Sequence, residues 1–198
     1  MHAAAPQARI GPNAITRVAQ ALPPRVGNVR TRELFAQAGL LAYLLKPPED
    51  MVDEAEVLRL HSVLRSELGD TLSAEVARNA GTLTADYLLQ RRIPALVQRL
   101  LKLMPASLAA RVLLKAISRN AWTFVGSGRF EVRHAPRLQI LIHDNPLCRG
   151  VTTQAPACDF YAAVFARLFA VLVHRRAEVV EVACQAMGEP TCVFEPRW

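Results

Sequence analysis

Cysteines, aromatic residues and long apolar runs are scarce in this chain of 198 residues, and each shortage removes a class of protein. The opening stretch MHAAAPQARIGPN has no acid but lacks the continuous apolar core of a secretory signal. The longest apolar stretch, around Tyr161 to Val173, is broken by Arg167 and is too short to span a bilayer. A soluble, cytoplasmic protein is therefore expected, with no transmembrane segment and at most a peripheral contact with a membrane. In that reducing compartment the four cysteines are expected as thiols or metal ligands, not disulfides. A net charge of +7 and a pI near 9.8 suit an acidic partner. The arginines are scattered, however, and no basic run is interleaved with aromatics, so nucleic acid is not expected as a partner.

About half of the residues are apolar, enough to bury the core of one domain. Residues 1–12 read as a flexible arm and 13–198 as a single domain, helical over 13–120 and sheet-containing over 121–198. In the helical part proline sets the boundaries. Asn13 is placed to cap a helix that ends before Pro23 and Pro24. Thr31 to Leu45 carries Leu34, Phe35, Leu41 and Leu44 at helical spacing, and Pro47 and Pro48 follow. The stretch MVDEAEVLRLHSVLRSELG has acids in its first turn, an apolar stripe and Gly69 as a C′ residue. Segments from Leu72 to Arg92, after Pro94, and from Ser107 to Asn120 complete the helices. No fixed-period repeat suggests a solenoid.

After AWTFVGSG the period changes. RFEVRH and RLQILIH alternate apolar and polar residues and read as a hairpin, Pro156 to His174 as one apolar helix, and AEVVEVACQAMGEPTCVFEP as a second hairpin turning at MGEP. Helices first, then strand, strand, helix, strand, strand, specify an α+β fold with a small antiparallel sheet.

The second hairpin brings Cys184 and Cys192 side by side, and Cys158 begins the helix expected to pack on it. With Glu181 these residues would form a closed Cys3Glu site, which suits a structural metal. The spacing equally allows three small thiols that fill space. In a regular strand Glu181 and Cys184 point to opposite faces, so Glu178 would be the same-face acid unless a bulge intervenes.

Three segments, GSGRFEV, CDFYAAVFARLF and VEVACQAMGEPTCVF, resemble the 4-vinyl reductase domain family. That ligand-binding fold is similar to the sensor domains of phenol-responsive bacterial activators and to vesicle-tethering subunits of the transport-particle family. The resemblance implies structural zinc held by Cys158, Glu181, Cys184 and Cys192; Cys148, in DNPLCRG, falls outside the pattern and reads as a lone thiol. Upstream, ADYLLQRRIPALVQRLLKLMPASLAARVLLKAISRNAWTFVGSGRF is similar to the bacteriochlorophyll-synthesis branch of the family, from about Arg30 onward.

That branch implies a magnesium tetrapyrrole ligand, reduction of one of its vinyl groups, other bacteriochlorophyll-pathway enzymes as partners, a homodimer, and a place beside the photosynthetic membrane. Reduction needs an electron source. Gly126 and Gly128 begin a dinucleotide fingerprint whose third glycine would fall at Glu131, and a strand follows, so no NAD or flavin motif is visible. The cysteine spacing resembles no ferredoxin-type pattern. A flat tetrapyrrole would suit a pocket between helices and sheet, and Trp122, Phe124, Phe130, Tyr161 and Phe165 are candidates for its walls, although each also fits ordinary core packing. His143, at a strand end, is a candidate axial ligand. Three readings follow: a carrier or assembly factor for the tetrapyrrole, a vinyl reductase with an external reductant, and a protein-interaction module.

Overall fold

The structure, a computed structural model, describes residues 8–198. The expected arm over 1–12 is not loose where it is described. Arg9–Ile10 forms strand β1, paired antiparallel with β2 (Val52–Asp53), and Gly11 donates to the carbonyl of Thr123. Ile10 is the reason: its side chain is buried, which pins the strand. Residues 1–7 lie outside the described residues.

Helix α1 (Asn13–Ala21) buries Ala14, Ile15, Val18 and Ala21 along one face. Asn13 is its first helical residue rather than its cap, which is Pro12. Pro23 and Pro24 close α1 and open α2 (Pro23–Gln37), where a missing amide costs nothing. The single helix expected from Thr31 to Leu45 is split. Gly39 takes φ 70, and a separate turn, α3 (Ala42–Leu45), follows. The left-handed glycine ends the helix even though Leu41 and Leu44 continue the spacing.

Asp53 caps α4 (Glu54–Arg91), its side chain accepting from the amide of Ala55 at 2.8 Å, with Glu54 and Glu56 in the first turn. Gly69, at φ 71, divides α4 into two segments at the expected place. Helices α5 (Ala95–Leu103) and α6 (Ala106–Arg119) meet at Met104 and Pro105, and one turn, α7 (Trp122–Val125), leads into the sheet.

Strands β3 (Arg129–Arg133), β4 (Gln139–His143), β5 (Glu178–Ala183) and β6 (Cys192–Arg197) form an antiparallel sheet in the order β3-β4-β6-β5. Helix α8 (Asp159–Leu172) packs against both α4 and the sheet, burying Phe160, Tyr161, Val164, Phe165, Leu168, Phe169 and Leu172. Each large apolar side chain so buried contributes about 1.5–3 kcal/mol. The fold is α+β, as the alternation of periods specifies.

Candidate metal centre and the groove beside it

Three separate segments deliver cysteine side chains to one point. The loop after β4 turns on Asp144, at φ 49, and Asn145, whose Oδ1 accepts from the amide of Leu147 at 3.0 Å. The amide of Cys148 then donates to the carbonyl of Asn145, also at 3.0 Å. Arg65, on α4, braces this loop by donating to the carbonyls of Leu147 and Ala157. Cys158 stands at the N-cap of α8, Cys184 follows β5, and Cys192 opens β6.

All four sulfurs are buried and lie within 4.8 Å of one another, a set that can hold a metal ion. Cys148 Sγ is 3.1, 3.6 and 3.6 Å from those of Cys158, Cys184 and Cys192, while Cys158 is 3.9 and 3.5 Å from Cys184 and Cys192. Four thiolates around one zinc at 2.3 Å would stand about 3.8 Å apart, so the set fits a single tetrahedral ion. The amide group of Asn145 donates to Cys158 and Cys192, and the backbone amides of Ala157 and Gln185 donate to Cys184 and Cys192. Such donors orient thiolates and offset their charge. Burial pushes the Cys158 thiol well above its ordinary value, so a cluster of thiolates needs a cation beside it.

Cys148 therefore does not stand alone, as the motif comparison led one to expect; the Asx turn swings it back onto the other three cysteines. Glu181 lies alongside them. Its Oε2 accepts from the amide of Cys158 at 2.9 Å, and its Oε1 is buried with no partner. Burial, reinforced by Cys184, pushes this carboxyl up to about 8. It reaches the inner side because the β5–β6 register shifts between Glu181 and Ala183. That irregularity lets Glu181 and the buried Cys184 both face α8, leaving Glu178 exposed on the other face.

The six candidate tetrapyrrole residues do not share a cavity. Phe124, Phe130, Tyr161 and Phe165 pack together with Phe194, with ring centroids 5.5–6.5 Å apart, and the Tyr161 hydroxyl donates to the carbonyl of Phe124 at 2.8 Å. They fill the layer between α8 and the sheet as core. Trp122 is 64% exposed. His143 alternates with Ile142, so it lies on the face of β4 away from α8, with Nε2 3.0 Å from Glu131. The Gly126–Gly128 loop is closed on a carboxylate: Glu54 accepts from the amide and hydroxyl of Ser127 and from Arg149 at 2.6 Å. Burial opposes that charge, but these hydrogen bonds outweigh it and hold the Glu54 carboxyl below its ordinary value. The loop's amide is thus committed to a side chain and not turned outward as a phosphate cradle.

The open space lies elsewhere. A groove of about 640 Å³ runs between the second segment of α4, α8 and β5. Ala162, Ala163, Ala166 and Ala170 of α8 and Val179 of β5 line it, with Glu181 at one end. Two of its lining arginines, Arg78 and Arg167, are held by Asp159 at 2.6 Å and Asp86 at 2.8 Å. A smaller cleft of about 330 Å³ adjoins it, lined partly by His61. Composition alone does not reveal the groove, since it depends on alanines where a core helix usually carries larger residues.

His61 is buried edge-on against Phe160, with Nε2 3.3 Å from the carbonyl of Ala14. Burial and then the Arg65 charge push its imidazole down to about 4. The unfolded chain takes up this proton near pH 6.5 and the folded chain only near 4, so stability is full above 6.5 and falls as pH drops between those values. The expected loss reaches about 3 kcal/mol. Thermal melts from about pH 7 to 4 should show this slope, and His61→Leu should flatten it; an unchanged slope would place the titration elsewhere.

The family model of the 4-vinyl reductase domain matches residues 138–197, the segment holding all four cysteines. Over 187 residues the chain is 41% identical to the bacteriochlorophyll synthase 23 kDa chain of Cereibacter sphaeroides, covering 94% of this chain and 89% of that one. It belongs to that family. The protein of the same name from Rhodobacter capsulatus is 37% identical over 188 residues, 94% of this chain and 85% of its own. In fold, the family member described here is similar to an Fe(II) unliganded H-NOX protein from K. algicida, with TM-score 0.62, 10% identity, and 96% and 97% of the two chains covered. A second H-NOX structure, from a study of heme distortion, gives TM-score 0.60 at 11% identity, covering 96% and 95%. At these identities the likeness is one of fold.

Proposed function

We propose that this protein holds a magnesium tetrapyrrole intermediate of bacteriochlorophyll biosynthesis and passes it between pathway enzymes near the vinyl-reduction step. The observation that carries this reading is the kinship, over 94% of the chain, with proteins named as a chain of bacteriochlorophyll synthase. A fold shared with a protein studied for heme distortion supports a tetrapyrrole as the ligand class. The α4–α8–β5 groove is the place: its alanine floor leaves room for a flat apolar ring, and Arg78 and Arg167 are positioned for the propionates.

Zinc is the proposed ion for the four cysteines. Cys148, Cys158, Cys184 and Cys192 would hold it in a closed site, with Glu181 beside them. When bound, the ion supplies a cross-link between the loop after β4, the start of α8 and the β5–β6 hairpin, which forms one side of the groove. Four protein ligands leave no open position, which suits structure over catalysis.

Filling the groove tests the assignment. Ala166→Trp should weaken binding of a divinyl magnesium tetrapyrrole by at least about tenfold, read as loss of the saturable absorption shift, since the ring loses its floor contact. Trp122→Ala, outside the groove, should bind as the wild type does. Equal binding by Ala166→Trp and the wild type would remove the groove from the account.

A further inference from the structure

Between Asp86 and Glu131 the chain has eight lysines and arginines and no acid. This stretch contains α5 and α6, which turn apolar side chains toward water. On α5, Leu96, Leu100 and Leu103 are 68%, 49% and 83% exposed, and their spacing places them on one stripe. On α6, Leu108 and Val112, one turn apart, are 47% and 40% exposed. The opposite faces hold the helices to the body. Leu101 of α5 and Leu113 and Leu114 of α6 are buried, and both helices contact α8. The outer stripes are therefore not needed to fix the helices in place.

The cations stand beside these stripes. Arg99 and Lys102 on α5, and Arg111, Lys115 and Arg119 on α6, are exposed, and among the described residues none has an ion-pair partner. An apolar stripe edged by unpaired positive charge is complementary to anionic headgroups over acyl chains. We infer that the α5–α6 hairpin docks on an anionic lipid bilayer, with its leucines at the acyl boundary and its lysines and arginines against the headgroups. The attachment is to the surface, since no helix among the described residues is long and apolar enough to cross a membrane. It does not depend on pigment binding.

Vesicle sedimentation with the full chain tests it, using phosphatidylcholine alone or mixed with phosphatidylglycerol. The wild type should sediment with the anionic vesicles, much less with the neutral ones, and should be released by salt. Leu100→Glu/Leu103→Glu should lower the partition at least about tenfold by removing the apolar anchor. Lys102→Glu/Lys115→Glu should lower it by a similar factor at low salt only. These side chains are exposed, so circular dichroism and melting should be unchanged. No sedimentation of the wild type, or unchanged partition of both variants, would overturn the inference. A wild-type dimer that dissociates in Leu100→Glu/Leu103→Glu without any vesicle binding would give this face to a second copy instead.

Discussion

Cys148→Ser is expected to release the bound metal and lower the melting temperature by about 10 °C. Serine keeps the size of the side chain but replaces a soft thiolate with a poor ligand, leaving three sulfurs around a site shaped for four. A structural metal contributes its binding free energy to folding. A loss of roughly 3–5 kcal/mol in a chain of this length corresponds to about 10 °C. Metal analysis and calorimetry on the same sample check this. Glu181→Gln is the paired experiment: an amide still accepts from the Cys158 amide, so metal content should be retained. Metal lost from Glu181→Gln but kept by Cys148→Ser would restore the Cys158, Glu181, Cys184 and Cys192 set.

Gly81→Ala should destabilise the protein by about 2–3 kcal/mol, although the same change in most helix interiors stabilises by nearly 1 kcal/mol. The difference in sign comes from the crossing of α4 and α8. A Cβ at Gly81 would lie 2.3 Å from the carbonyl oxygen of Phe160 and 2.9 Å from Cβ of Ala163. The first of these is backbone, so the helices must separate. Phe160 and Ala163 are on the helix that lines the groove, so the variant should also lose affinity for the pigment. A melting temperature lower by about 5–10 °C, with weaker binding, is expected. A higher melting temperature would mean that the two helices are not held so close.

Local pattern carried most of this fold. Period-3.6 stripes locate α1 and both segments of α4, Gly69 marks the break between those segments, and period-two runs locate the four strands of the larger sheet. Gly39 was harder to read, because Leu41 and Leu44 continue the apolar spacing past a residue whose φ only the folded chain reveals. Three of the four clustered cysteines follow from the hairpin and the helix start. Cys148 sits in an irregular loop, and only its return through the Asn145 turn brings it in; the even count of buried thiols was the one available hint. Alternation in β4 already separates His143 from Ile140 and Ile142, and therefore from the face toward α8. The aromatic set failed as a pocket for a physical reason: large rings at core positions fill space, whereas the groove is made by alanines that leave it open.

Titration of the metal-replete protein with divinyl magnesium tetrapyrrole, with and without reduced nicotinamide, tests the carrier reading most directly. A saturable absorption shift at one ligand per chain, with both vinyl groups intact in the recovered pigment, is the predicted result. Conversion to the monovinyl product by the pure protein, or no shift at any pigment concentration, would contradict it.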